Sequence, residues 1–218
     1  MTSPSAYALL ASLPAMPVDW RQEHLPVSEP RLEERLGLLP PASAELAITL
    51  GRLARDEAQG DDLAWLAALD DLTQRLAPGL GRQLALLIVD HRLLVAGVRR
   101  QNRGQEPPPA AGTWGRWLAM HWQEPGFGLG LRFPWLLELT ALLQAGATGA
   151  AQELACQVLW QELDRLRPAH PFHLEAVLLY VVRWQVVAAW AGRDTAAGGE
   201  RLAELVEATL GEYVHLFP

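Results

Sequence analysis

The chain has 218 residues, half of them apolar and a fifth charged, with a formal net charge of −7. That composition suits a globular protein with a sizeable core and excludes whole-chain disorder. The acidic balance argues against a general nucleic-acid binder, because phosphate contacts need a basic surface.

From the N-terminus, "MTSPSAYALLASLPAMPVDW" lacks the positive segment of a signal peptide, and Pro14 and Pro17 interrupt its apolar run. Tyr7 to Leu13 reads instead as a short strand or one helical turn packing on the body. Beyond it, helical spacing recurs. Leu46, Leu50 and Leu53 line one face over 43–57, with Ser43 as the expected N-cap. Leu66, Leu69, Leu72 and Leu76 do the same over 61–77, where Asp61 and Asp62 suit the positive helix end. The clearest pattern covers about 80–103. Leu84, Leu87, Ile88, Leu94, Val95 and Val98 follow the i, i+3, i+4, i+7 rule, and His91 shares their face. "GQEPPPAAGT" at 104–113 cannot continue a helix and is the major loop. Short helices are predicted at 114–123 and 133–145. A longer one spans 149–167, with Ala155, Val158, Leu159, Leu163 and Leu166 inward. "RPAHP" ends it, Pro171 suits the next first turn, and 199–211 closes the chain with Leu202, Leu205 and Val206. The sum is an all-α fold of about eight helices, one helical domain over 1–218.

The segment 172–192, "FHLEAVLLYVVRWQVVAAWAG", is about as long as a bilayer is thick. Arg183 and Gln185 sit near its middle, where a charge costs about 2.5–3.5 kcal/mol against roughly 0.3–0.6 gained per Leu, Val or Phe. No Lys/Arg asymmetry in the flanks sets an orientation. A helix apolar on nearly every side that does not suit a membrane belongs at the centre of a bundle. Its five valines leave a buried strand as the minor alternative, which its length opposes. Glu175 and Arg183 share a helix face and are each expected to meet a partner from a neighbouring helix.

The chemistry-bearing residues form no complete motif. Cys156, the single cysteine, excludes an internal disulfide and falls in an apolar helical pattern, as a structural thiol does. His170, His173 and Glu175 straddle a helix start without a fourth ligand. Glu212 and His215 supply one Glu-x-x-His where a di-iron bundle needs two. The glycine-rich stretches at Gly79–Gly81 and in "GFGLGLRF" follow no strand, and all 18 basic residues are arginine, so a lysine-bearing P-loop is absent. Arg99, Arg100 and Arg103 form the basic cluster, at a helix end where cations complement the dipole. No catalytic residue, cofactor or metal ligand is therefore assigned. Nine tryptophans are large core or interface fillers. Trp114, Trp117 and Trp122, beside the proline loop, are the candidate contact anchors, with core burial expected for at least one of them.

Four stretches, "YALLASLPAMP", "VDHRLLVAGVRRQNRG", "EPGFGLGLRFPWL" and "FHLEAVLLYVVRWQVVAAWAGRDTAAGGERLAELV", resemble in the same order a bacterial family that accompanies V/A-type ATPases and is similar to their C subunit, called d in the eukaryotic enzyme. The resemblance implies a non-enzymatic helical adaptor whose partners are the central stalk and the membrane rotor ring of a rotary ATPase. It implies a cytoplasmic chain, peripheral at the inner face of the cell membrane through its partners and not itself transmembrane. The polar residues Asp90, Arg92, Arg99, Arg100 and Asn102 match a recurrent pattern in that group and carry over as structural residues. The chain is shorter than typical C subunits, so a complete three-part funnel does not follow. A stand-alone helical protein-binding module is the alternative. An enzyme on a helical scaffold would require His91 to converge with Asp90 or Arg99 in a deep pocket.

Overall fold

A computed structural model describes residues 4–54, 65, 68, 71–73, 76, 78–166, 168 and 171–192. Among these residues the elements are helical and no strand occurs, so the fold is all-α. The N-terminal strand alternative is corrected: α1 (Pro4–Ser12) is a helix. Ala6 and Leu9, three residues apart, are both fully buried, which a helix achieves and a strand would not. Leu13 closes the last turn by donating to the Leu9 and Leu10 carbonyls just before Pro14.

Helix α2 (Glu29–Leu36) lies in a stretch too polar for periodicity to reveal. Only Leu32 and Leu36, one turn apart, face inward, while Pro30 sits in its first turn, Glu29 at its positive end and Arg35 in its last turn. Helix α3 (Pro41–Ala54) begins before Ser43, whose N–H donates to the Pro40 carbonyl 2.8 Å away from inside the first turn. Ser43 therefore lies inside the helix and is not its N-cap. Of the helix expected over 61–77, Trp65, Ala68 and residues 71–73 are helical, and Leu72 is buried. Asp61, Asp62, Leu66 and Leu69 lie outside the described residues, as do His170, the 199–211 segment, Glu212 and His215.

Helix α4 (Leu80–Asn102) matches its periodicity along its whole length. After the proline loop come α5 (Gly115–Met120), a 3₁₀ turn (Pro125–Gly128), α6 (Trp135–Gln144) and α7 (Thr148–Arg165). Helix α8 (Leu174–Gly192) follows. Pro171 stands in the turn before α8 rather than in its first helical turn. The His173 carbonyl accepts the Ala176 and Val177 N–H groups instead.

The buried side chains form two clusters. One gathers α1, α2 and α3 with the first half of α4, the second half of α7 and α8. The other gathers Leu93, Leu94, Val95 and Val98 of α4 with Leu118, Phe127, Leu129, Leu136 and Leu139, and with Ala151 and Ala155 of α7. A helix of 23 residues is about 34 Å long, more than one small core can cover. Helices α4 and α7 therefore run through both cores and join them.

Helix α8 is long and apolar enough to cross a membrane by length and composition. Within this fold no residue from His173 to Ala191 is exposed. It packs closely against α3 at Gly51. A Cβ on Gly51 would lie 2.7 Å from Val181 Cγ1, so only glycine lets the two backbones approach this near. The indole N–H of fully buried Trp184 donates to the Val27 carbonyl at 2.8 Å. Glu175 accepts from the Leu80 N–H at 3.2 Å, and Arg183 donates to Asp164 and to the Leu163 carbonyl. Glu175 and Arg183 thus each meet a neighbouring element, as expected. Asp164 is half exposed, which limits that ion pair to about 0–1 kcal/mol.

Candidate interaction surface

The polar residues of α4 tie neighbouring elements to the helix. Asp90 accepts the Thr113 N–H at 2.7 Å and so anchors the end of the proline loop. Gly112 adopts φ +59°, and a Cβ there would collide with Asp90 and Val89, so the loop needs glycine at this position. Burial pushes the Asp90 carboxyl above its ordinary value, and hydrogen bonds from Thr113 and Trp114 pull it partly back. Arg100 donates from Nε to the Glu106 carbonyl at 2.7 Å and pins the loop's start. Arg99 donates to the Gln152 amide oxygen on α7, and Arg92 lies 4.6 Å over the Trp65 ring. Arg92, Arg99 and Arg100 are therefore engaged within the chain, while Asn102 and Arg103 are exposed.

The pinned loop leads into the glycine-rich stretch 124–136. Gly126 (φ 56°) and Phe127 (φ 58°) both occupy the left-handed region. For a phenylalanine this costs about 1–2 kcal/mol. Its side chain explains why the conformation persists. Phe127 is fully buried, stacks on Trp122 with centroids 5.4 Å apart, and fills the space beside Gly97, where a Cβ would lie 3.2 Å from Phe127 Cζ. A hole on α4 and a knob on the turn set the turn's position. Its carbonyl accepts the Trp117 indole N–H at 3.0 Å. On the opposite side, Leu137 of α6 lies against the bare backbone: Cβ atoms on Gly126 and Gly130 would be 3.0 and 3.1 Å from its methyl groups.

This arrangement exposes an apolar surface around the turn. Leu131 is fully exposed, Met120 is 72 % exposed, Leu137 46 % and Trp117 40 %. Trp117 also stacks on His121 at 4.1 Å, and His121 pairs with Glu124 at 2.8 Å. Arg132 lies over the rings of Trp114 and Phe133, 4.9 and 5.5 Å from their centroids. The three candidate anchors thus separate. Trp114 and Trp122 are half-buried against the second core, while Trp117 presents a face to solvent. Met120, Leu131 and Leu137 had no distinguishing signal in the sequence. Each stands in an apolar stretch, and only the packing shows which side is left uncovered.

No protein-family model, curated protein or solved structure matches this chain. The remaining candidates take their meaning from geometry alone. The helix start at Gly79–Gly81 receives the chain's own carboxylate: Glu175 Oε1 bonds Leu80 N and stands 3.2 Å from where a Gly79 Cβ would be. That position complements the α4 dipole. Among the described residues no group of three His, Cys, Asp or Glu side chains is placed to hold a metal ion. Cys156 is buried, with the Gln152 amide 3.7 Å from its sulfur. His91 lies 5.7 Å from the Trp135 ring, Asp90 is turned to the loop and Arg99 to α7, so these three are engaged with different neighbours.

Proposed function

We propose that this chain is a non-enzymatic helical adaptor or accessory subunit of a bacterial V/A-type rotary ATPase, acting between its central shaft and membrane rotor ring. The observation that supports the reading is the apolar surface of Trp117, Met120, Leu131 and Leu137, mounted on a body that two shared helices brace from end to end. An adaptor transmits load through packed elements and contacts its partners through a fixed surface. A left-handed turn held by a buried phenylalanine supplies such a surface without a large ordering cost on binding. The resemblance of four stretches to the ATPase-associated family supplies the partner class. One of them, residues 124–136, forms the turn at the centre of this surface.

The test is size-exclusion chromatography of the purified chain mixed with the central-shaft and rotor-ring subunits of a V/A-type ATPase. The wild-type chain co-elutes with them. Trp117→Ala combined with Leu131→Asp weakens the complex about tenfold or more, as truncation of an interface anchor does, with an unchanged far-UV circular dichroism spectrum. Absence of co-elution for the wild-type chain would overturn the adaptor reading.

A further inference from the structure

Helices α2, α3 and α8 border a hollow of about 390 Å³, a size that suits a small molecule. Each helix supplies part of its apolar lining: Leu36 of α2, Ile48 of α3 and the fully buried Trp184 of α8. Gln185 of α8 also lines it and is only 7 % exposed, so a buried amide interrupts the apolar lining. The bare backbone of Gly51 gives that amide its room, since a Cβ there would lie 3.4 Å from Gln185 Nε2. The charged residues of the hollow stand on different helices. Glu33 of α2 and Arg52 of α3 are both exposed and line this one hollow, yet neither forms an ion pair with the other or with any other described residue. Glu29, one turn before Glu33, adds a second carboxylate to the α2 wall. An apolar lining with a few polar groups held on separate rigid elements is the ordinary form of a small-ligand site.

We infer that the hollow between α2, α3 and α8 binds a small zwitterion with an apolar side chain, an amino acid or a dipeptide. Glu33 receives the ammonium group, the Arg52 fork receives the carboxylate, and the apolar side chain lies against Leu36, Ile48 and Trp184. A molecule that carries both signs satisfies both walls at once, whereas an ion of one sign leaves one wall facing a like charge. Two carboxylates against one guanidinium make the lining net negative, so a plain carboxylate is disfavoured more than a plain ammonium. This site is separate from the apolar surface around Trp117 and does not depend on the rotary-ATPase reading.

The test uses the full-length chain labelled with nitrogen-15 and follows its amide and indole resonances during titration at constant ionic strength. The probes are leucine, leucinamide, which lacks the carboxylate, 4-methylpentanoate, which lacks the ammonium group, and the dipeptide Leu-Leu. Leucine or Leu-Leu shifts the Trp184 indole and the Gln185 side-chain amide saturably, leucinamide binds more weakly, and 4-methylpentanoate binds weakest. Arg52→Gln removes the preference for leucine over leucinamide, and Glu33→Gln removes the preference for leucine over 4-methylpentanoate, each a change of about threefold for an exposed pair. Both residues are exposed, so the variants keep the wild-type far-UV circular dichroism spectrum, and each tests the site without the other. Tighter binding of leucine identifies a single amino acid as the ligand, and tighter binding of Leu-Leu identifies a dipeptide. No saturable shift at Trp184 and Gln185, or the same order of the probes in wild type and both variants, would show that Glu33 and Arg52 are merely hydrated and would overturn the inference.

Discussion

Trp184 and Trp117 show how far a residue's surroundings decide its use. The Trp184 indole is enclosed in the first core with its N–H satisfied by Val27, whereas Trp117 is satisfied by Phe127 along one edge and open to solvent on a face. Trp184→Ala is expected to cost about 3–5 kcal/mol of stability in urea unfolding, from lost burial and the cavity left behind. Trp117→Ala should cost only about 1 kcal/mol, the scale of one hydrogen bond, while removing the proposed contact anchor. Both tryptophans sit in apolar helical stretches, so no local signal separates them. Asp90 gives a pH prediction. Its folded pKa is raised, so the folded state holds the proton more tightly than the unfolded chain. The stability this lends is complete below the ordinary aspartate value and is lost as pH rises through the folded one. Asp90→Asn cannot ionise. Denaturation measured from pH 3 to pH 7 should therefore show the variant's stability gaining on wild type as pH climbs. A constant difference would contradict the raised value.

Two helical glycines test the packing of their elements in opposite directions. Gly97 of α4 faces Leu118 and Phe127, and an added Cβ would lie 2.7 Å from Leu118 Cδ1. Gly97→Ala should destabilise by about 1–3 kcal/mol through overpacking, although alanine is the better helix former. Gly149, in the first turn of α7, has open space around it, and Gly149→Ala should stabilise by about 0.5 kcal/mol. Thermal melts of the pair would check the contrast. The elements themselves differ in legibility. Helix α4 was readable because its apolar residues repeat over 23 positions. Helix α2 was not, since two leucines within eight residues give too short a period to detect. The left-handed Phe127 was invisible because glycines on both sides permit many turns, and the choice among them rests on Gly97 thirty positions away.

At the scale of the whole molecule, α4 and α7 each contribute side chains to both cores, so neither core can be lost without unseating the helices that hold the other. Unfolding in urea should be a single transition, with tryptophan fluorescence and far-UV circular dichroism coincident. Separated transitions would mean that the two cores are independent. Native-state hydrogen exchange should find its slowest amides in 177–187, where α8 is most enclosed.

What the chain's sequence determined by itself is the class of fold and most of its long elements, because helical periodicity and proline breaks are local and accumulate over many residues. It also pointed to cover for 173–191, since Arg183 and Gln185 near its middle need polar partners and its valines need apolar ones. The tertiary structure alone decided which faces stayed uncovered: the open indole of Trp117 and the leucines around the glycine turn. Exposure and hydrogen-bond satisfaction depend on which distant segment arrives at a surface, and residues far apart in the chain carry no local sign of meeting there.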